Sequence, residues 1–530
     1  MARPIDNVAM LQNPAALVEL HGNQFLLQLD TVFDNVCVDP YGYYGWGVYL
    51  SEDRFGNTSN PDDIRSEFGN PADPSYGTRR LDRVCNSGQI APLPQLAFSM
   101  HLTPKLSIAF GLVAPAVMGS AQWGGEDGTI QTPDGPRPTP TRYQFVRQAA
   151  GFALNPTGSV AYQPVPWLSF GLTLQVLMGQ ASNYLVMAMR AGTSPANDAL
   201  TKLTATDFFV PGFTFAALIK PSRYFRLAGT FYWSEGLDGH GELQMTTNYY
   251  HQGAGGDELQ PLENDPVKLT RVRISLPWTA TLAARFALPR GPAPDPDSPK
   301  GSDPLKDEIF DIELDAAFTA NKTANIENSV NVANEFSLEF RRADGRPQMP
   351  LVVKPQDIEE ISLDRHVKDV LVLRLGGGVN VIPGRLQLTA GGYFQTRGIE
   401  PSYASIDNFN FSRVGLGLGV LVRVGAFDLT ASFAHIFQET LTIVPPRHQV
   451  RTDATDADPT SGFDQRVYEG NGQLSAQPRV DPNAPAQGDG VAKLTQSAIF
   501  ESEDLRRRIV NAGRYTASFN VLSIGGTYHF

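Results

Sequence analysis

Hydrophobic residues along this chain fall on alternate positions rather than in blocks. At the C-terminus Leu522, Ile524, Tyr528 and Phe530 share one face of a strand, and Ser523, Gly525, Thr527 and His529 share the other, because β side chains alternate with period two. The same contrast recurs in Leu168-Phe170-Leu172-Leu174-Val176, in Phe427-Leu429-Ala431-Phe433, and in Val414-Leu416-Leu418-Val420-Val422 with Gly415, Gly417 and Gly419 opposite. Fourteen such segments are predicted, to within about two: 22–36, 93–103, 105–115, 149–163, 166–179, 209–220, 223–234, 265–278, 307–319, 366–382, 384–396, 409–423, 426–437 and 514–530. An even count suits a single-chain barrel.

A soluble sandwich also alternates, so the punctuation between segments decides. Tight turns such as Thr103-Pro104-Lys105, Ile382-Pro383-Gly384-Arg385 and Arg423-Val424-Gly425-Ala426 take turns with long polar connections at 37–92, 116–148, 180–208, 235–264, 320–365 and 438–513. A transmembrane barrel sorts its loops in this way, with short turns on the periplasmic rim and long loops outside. The segment Pro289–Asp297 breaks the short-turn rule as a Pro-rich linker.

Composition sharpens this without contradicting it. The 530 residues are 42% hydrophobic and 18% charged, yet no apolar run is long enough for a helical span. In a barrel only every second strand residue meets lipid, so a modest average is expected. A net charge of -12 with no dense basic block excludes a nucleic-acid binder. The 49 Gly and 40 Pro fit curved walls and turns. No nucleophile elbow, phosphate loop or metal-spaced histidine cluster stands out, so neither catalysis nor a cofactor or metal is expected.

Asn13-Pro14-Ala15, just ahead of the first alternating segment, together with Tyr528 and the terminal Phe530, resembles the FadL/OmpP1/TodX family of outer-membrane transporters for hydrophobic compounds. The resemblance spans nearly the whole chain. It implies fourteen antiparallel strands, an N-terminal plug (residues 1–21) ahead of the barrel (22–530), and Tyr528 and Phe530 as the signal read by the barrel-assembly machinery. It also implies a signal peptide and a longer plug. Only twelve residues precede Asn13, so that leader is expected upstream of Met1, which is either an internal valine start codon or the result of trimming the natural chain.

The function implied is passive uptake of hydrophobic molecules, such as long-chain fatty acids, by a monomer in outer-membrane lipid and lipopolysaccharide. Lateral exit is expected at a kink in the third strand, for which Gly111 and Pro115 are the candidates. Met187, Met189, Phe208, Phe209 and Phe213 make the loop between the fifth and sixth segments apolar, and inward Arg226 and Arg374 could hold a carboxylate; these are the candidate substrate contacts. Cys37 and Cys85 fall in the first long loop as a candidate disulfide in an oxidising compartment. The rival reading is a surface-display or secretion-associated scaffold that binds protein partners through its loops.

Overall fold

The structure, a computed structural model, describes residues 6–40, 82–87, 91–113, most of 121–188, 198–247, 261–291, most of 303–443, and 513–530. Fourteen strands close into an antiparallel barrel. They are β1 (Gln24–Pro40), β2 (Ala91–Thr103), β3 (Leu106–Val113), β4 (Pro156–Val165), β5 (Leu168–Ala188), β6 (Asp198–Ile219) and β7 (Phe225–Ser234). The ring continues with β8 (Thr279–Pro289), β9 (Glu308–Thr319), β10 (Val370–Ile382), β11 (Leu386–Gln395), β12 (Arg413–Val424), β13 (Phe427–Gln438) and β14 (Gly513–His529). It closes where β14 lies along β1 from Gln24↔His529 to Pro40↔Gly513.

Alternation sets which way each strand faces. Leu27, Leu29, Leu282, Leu314, Leu418 and Ile524 are exposed on the outer wall, whereas Ala97, Ala109, Ala161, Ala216 and Ala283 are buried inside. Aromatic rings collect at both rims of the outer face. Phe427, Tyr528, Phe530 and Phe98 stack along the short-turn rim near the closure seam, and Phe213, Trp233, Phe231, Trp278 and Phe318 follow one another near the long rim. Paired aromatic girdles are what a barrel seated across a bilayer presents. Tyr528 lies opposite Phe25 across the seam, and the Phe530 amide donates to the Asn23 carbonyl at 3.1 Å.

The eighth strand is a correction. Val267–Ile274, inside the expected 265–278 segment, pairs with Leu237–Thr247 and Asn328–Val332 above the long rim. Its alternation is real but serves another core, where Val267, Leu269 and Val272 pack with Leu243, Met245, Leu338 and Phe340. The wall place belongs to β8, whose outward Ala280 and Ala284 and inward Ala283 and Ala287 flatten the contrast that marks a strand. The Pro-rich linker begins where β8 ends, at Pro289, and its remainder from residue 292 lies outside the described residues.

Several connections expected as polar loops are folded. β5 runs 21 residues and β6 runs 22, so residues 180–188 and 198–206 are paired strand rather than loop. A second core above the rim joins Val36, Val38, Trp123, Phe145, Phe411 and Tyr515. The strand Val84–Cys85 lies beside β1, and Cys37 and Cys85, opposite each other in register, form the disulfide. A crosslink across this separation typically contributes about 2–4 kcal/mol, chiefly by limiting the unfolded loop. Cys85→Ser is expected to leave the barrel folded but to speed proteolysis between positions 37 and 85, seen as faster nicking with unchanged heat-modifiable migration. Equal nicking rates would deny the bond that role.

Candidate functional site

The N-terminal segment enters the barrel and fills its short-turn half. A single helical turn, Ala9–Gln12, leads into the 3-10 turn Pro14–Glu19, whose six residues are all buried. Asn13 ends the first turn, and Pro14 suits the first position of the second because its absent N–H would have no partner there. Small inward side chains make the seat. Ala15 and Ala16 pack on Ala216, Leu218, Ala228 and Ala283, and Met10, Leu17 and Leu20 pack on Leu26, Ala97, Ala109 and Ala161.

Polar anchors complete the seat. Asn7 Nδ2 donates to the carbonyls of Gln24 and Ala97 at 3.1 and 3.2 Å, and the Ser99 hydroxyl donates to its Oδ1. The hydroxyls of Ser169 and Thr173 donate to the carbonyls of Ala15 and Met10 at 2.9 and 2.5 Å. His101 Nε2 lies 2.8 Å from the Leu20 carbonyl oxygen and its Nδ1 lies 2.7 Å from Ser107 Oγ. Gly171 is where plug and wall touch backbone to backbone: a Cβ there would stand 2.2 Å from Ala15 N and from Pro14 C.

Charge fixes the plug's far end. The Glu19 carboxylate is nearly buried between Lys220 Nζ at 2.6 Å and Arg226 Nη2 at 3.5 Å. Arg226 also reaches Glu308 at 4.0 Å, and Arg285, fully buried, bonds Glu308 and Asp311. Across the floor, Arg423 joins Asp303 and Asp428, and His529 Nε2 lies 2.9 Å from Asp428. Buried charges persist only when paired in this way.

Burial works to raise the Glu19 pKa, but Arg226, Lys220 and Arg285 outweigh it and hold the carboxyl below its ordinary value. A carboxylate depressed in the folded state stabilises fully above its ordinary pKa, and the contribution is lost as pH falls through the lower folded value. Hydrogen-exchange protection of the plug amides across Ala9–Glu19 is therefore expected to fall in that acidic window. Glu19→Gln is expected to lack that protection at neutral pH and to lose the acid transition; a protected variant would show that the plug is held without this carboxylate.

The residues selected from sequence land in different places. Arg226 faces inward, but its guanidinium is engaged by the plug rather than free for a ligand. Gly111 faces inward too, within 3.0 Å of Met10 Sδ for a notional Cβ, and the ladder is paired through it on both sides, to Ala97 and to Thr157. Pro115 and Met189 lie outside the described residues, and of Met187 only its place in β5, opposite Ala199, is described. Phe208 and Phe209 sit at the bulge where β5 and β6 shift register, both exposed on the wall, with Phe208 stacked on Phe152 at 5.9 Å. Phe213 is a member of the aromatic row.

Above the plug the lumen has two unlike walls. Val32, Val521, Ala434, Ile436 and Phe519, adjacent in register on β1, β14 and β13, make an apolar patch that continues into the upper core. On β10–β12, Arg374 lies opposite Tyr393, Gln395 lies opposite Arg413, and the Tyr393 ring occupies the space that a Cβ on Gly415 would need. Arg374 is exposed to the lumen. Arg413 Nη2 donates to Asn410 Oδ1 at 2.8 Å, while its buried Nε has no hydrogen-bond partner among the described residues. Gly415 and Gly417 lie between the two walls, opposite Ile436 and Ala434.

Parity alone could not single out Arg413, Tyr393, Glu19, Lys220 or Gly171. Their significance comes from which strand and which plug residue they meet.

No family model and no curated protein matches the chain. Solved structures match its fold over its full length. A FadL homologue from Pseudomonas aeruginosa aligns with 100% of this chain and 95% of its own at 13% identity, with a TM-score of 0.59. The Pseudomonas putida toluene transporter TodX aligns over 99% and 94% at 11% identity, with a TM-score of 0.53. The monoaromatic hydrocarbon channel CymD aligns over 100% and 94% at 12% identity, with a TM-score of 0.50. The fold is thus that of the plugged FadL-type barrel.

Proposed function

We propose that this chain is an outer-membrane channel for passive uptake of hydrophobic molecules that carry an anionic head, with long-chain fatty acids as the leading class. The observation that supports this best is the pairing, above the plug, of an apolar wall with the Arg374–Tyr393–Arg413 side. An acyl chain would lie along Val32, Val521 and Ile436 while guanidinium groups take the carboxylate, an arrangement arginine favours through charge-assisted hydrogen bonds. The similar solved structures, described as a FadL homologue, a toluene transporter and a hydrocarbon channel, support the hydrophobic class.

Exit to the side is proposed at the upper end of β3, around Val113. Pro92 and Pro94 on β2 and Pro156 on β4 flank this end, and none of them can donate to a ladder.

Uptake of a labelled long-chain fatty acid and of toluene into vesicles carrying the purified protein tests both parts. Arg374→Gln with Arg413→Gln is expected to slow the acid severalfold while sparing toluene; equal loss of both would reject a carboxylate site. Val113→Trp is expected to slow both. A second reading, a scaffold for protein partners, draws on the two folded cores above the rim. It would gain if removing the upper strands abolished partner binding and left uptake intact.

A further inference from the structure

The outer wall carries an open groove of about 450 Å³ on the side of the barrel away from β3, within the roughly 300–1,000 Å³ range of ligand sites. Its cause is a checkerboard of side-chain sizes. Across β7, β8 and β9 the upper row reads Phe231, Ala280, Phe318 and the row below reads Gly229, Leu282, Ala316. Large side chains therefore stand beside gaps, and Ala280 forms the floor of a slot between two phenylalanine rings. Trp278 closes the slot's upper end, its ring 5.7 Å from Phe231 and 5.6 Å from Phe318.

Two lysines follow beyond the upper ends of the strands that bound the slot on one side. β9 ends at Thr319 opposite Val370, and beyond this pair come Lys322 and Lys368. Their side chains are 69% and 48% exposed and make surface contacts, to Asp369 at 3.8 Å and to Glu400 at 3.3 Å. Exposed pairs of this kind are weak and exchange readily for a stronger anion.

We propose that this groove binds one acyl chain of lipopolysaccharide, with the phosphate of its glucosamine anchor on Lys322 and Lys368. The slot lies on the half of the wall nearer the long rim, the outer-leaflet half in the outer-membrane reading on which this proposal rests. Its apolar floor, aromatic walls and cationic rim match a phosphorylated acyl glycolipid from the tail to the head. A neutral hydrocarbon would have no use for the lysines, and a phospholipid belongs to the opposite leaflet.

Native mass spectrometry of the detergent-purified barrel, titrated with diphosphoryl lipid A, its dephosphorylated form and phosphatidylglycerol, tests the assignment. One diphosphoryl molecule is expected to be retained per barrel. Ala280→Trp fills the slot at a position facing lipid, and heat-modifiable migration verifies its folding. It is expected to weaken retention about tenfold or more, a clear change in binding free energy. Lys322→Gln with Lys368→Gln is expected to reduce diphosphoryl retention to the level of the dephosphorylated form. Retention unchanged by Ala280→Trp, equal retention of phosphatidylglycerol, or no retained lipid would overturn the proposal. Fatty-acid uptake into vesicles free of glycolipid is expected to survive Ala280→Trp, so failure of the lipid site and failure of the transport reading give different results.

Discussion

Gly171→Leu is expected to unseat the plug and turn a closed barrel into a steadily conducting one. A Cβ at this position would meet Ala15 N and Pro14 C at 2.2 Å, and both are backbone atoms that no side-chain rotation can move aside. One partner must give way. Gly171 is locked in the wall between Ala216 of β6 and Ala161 of β4, whereas the plug is two short turns held by scattered anchors. The plug therefore moves. In planar bilayers the variant is expected to show a continuous ohmic current absent from the parent, and cells carrying it to become sensitive to bulky antibiotics. Leu172→Ala, one residue on and facing outward, serves as the control. A folded Gly171→Leu barrel with unchanged conductance would mean that the close approach does not decide whether the lumen is shut.

Arg285→Met is expected to cause the largest loss of stability of any single substitution considered. The guanidinium is fully buried; its Nη1 donates to Glu308 Oε1 at 3.0 Å and its Nε to Asp311 Oδ2 at 3.0 Å. Asp311 also accepts from the Gly378 amide at 3.1 Å, and the Glu308 backbone carbonyl accepts from Asn380 at 2.9 Å. Methionine would occupy similar volume but remove the cation that bridges two buried carboxylates, leaving Glu308 to the Arg226 contact at 4.0 Å. Breaking a buried pair this way costs about 3–5 kcal/mol, much of it the uncompensated charge. The urea midpoint for the barrel refolded into lipid vesicles is expected to fall accordingly. Replacing Glu308 and Asp311 with leucine in the same chain is expected to recover most of the loss. Failure to recover would locate the cost in packing around residue 285 instead of in charge.

The barrel was legible because most wall strands contrast a greasy outer face with a polar or small inner one, as β12 does with leucines and valines against glycines. β8 escaped for the same reason in reverse. Alanines on both faces leave no contrast, and its neighbour Val267–Ile274 imitates a wall strand because it serves a core above the rim. The folded extensions were hidden because polar composition is shared by loops and by strands surrounded by water; only pairing, such as Ser182 with Thr204, tells them apart. Asn13-Pro14-Ala15 drew attention to the plug, but its seat could not be read from it. Gly171 matters through the backbone it meets, and Glu19 through lysine and arginine on two distant strands. Inward parity correctly oriented Arg226 and Arg374 without revealing that one is occupied by the plug and the other faces open lumen.

The lengths of β5 and β6 set where a passing molecule first meets this protein. At about 3.3 Å per residue a strand of this length spans roughly 70 Å, and tilted by about 40° it rises some 50 Å or more against an apolar band of about 25 Å. Roughly half of the hairpin thus stands clear of the bilayer surface. In the proposed uptake role, a poorly soluble compound approaching from outside would meet protein before any bilayer is within reach. The first barrier to such a compound would be the hydrated layer at the surface, and the hairpin would span it.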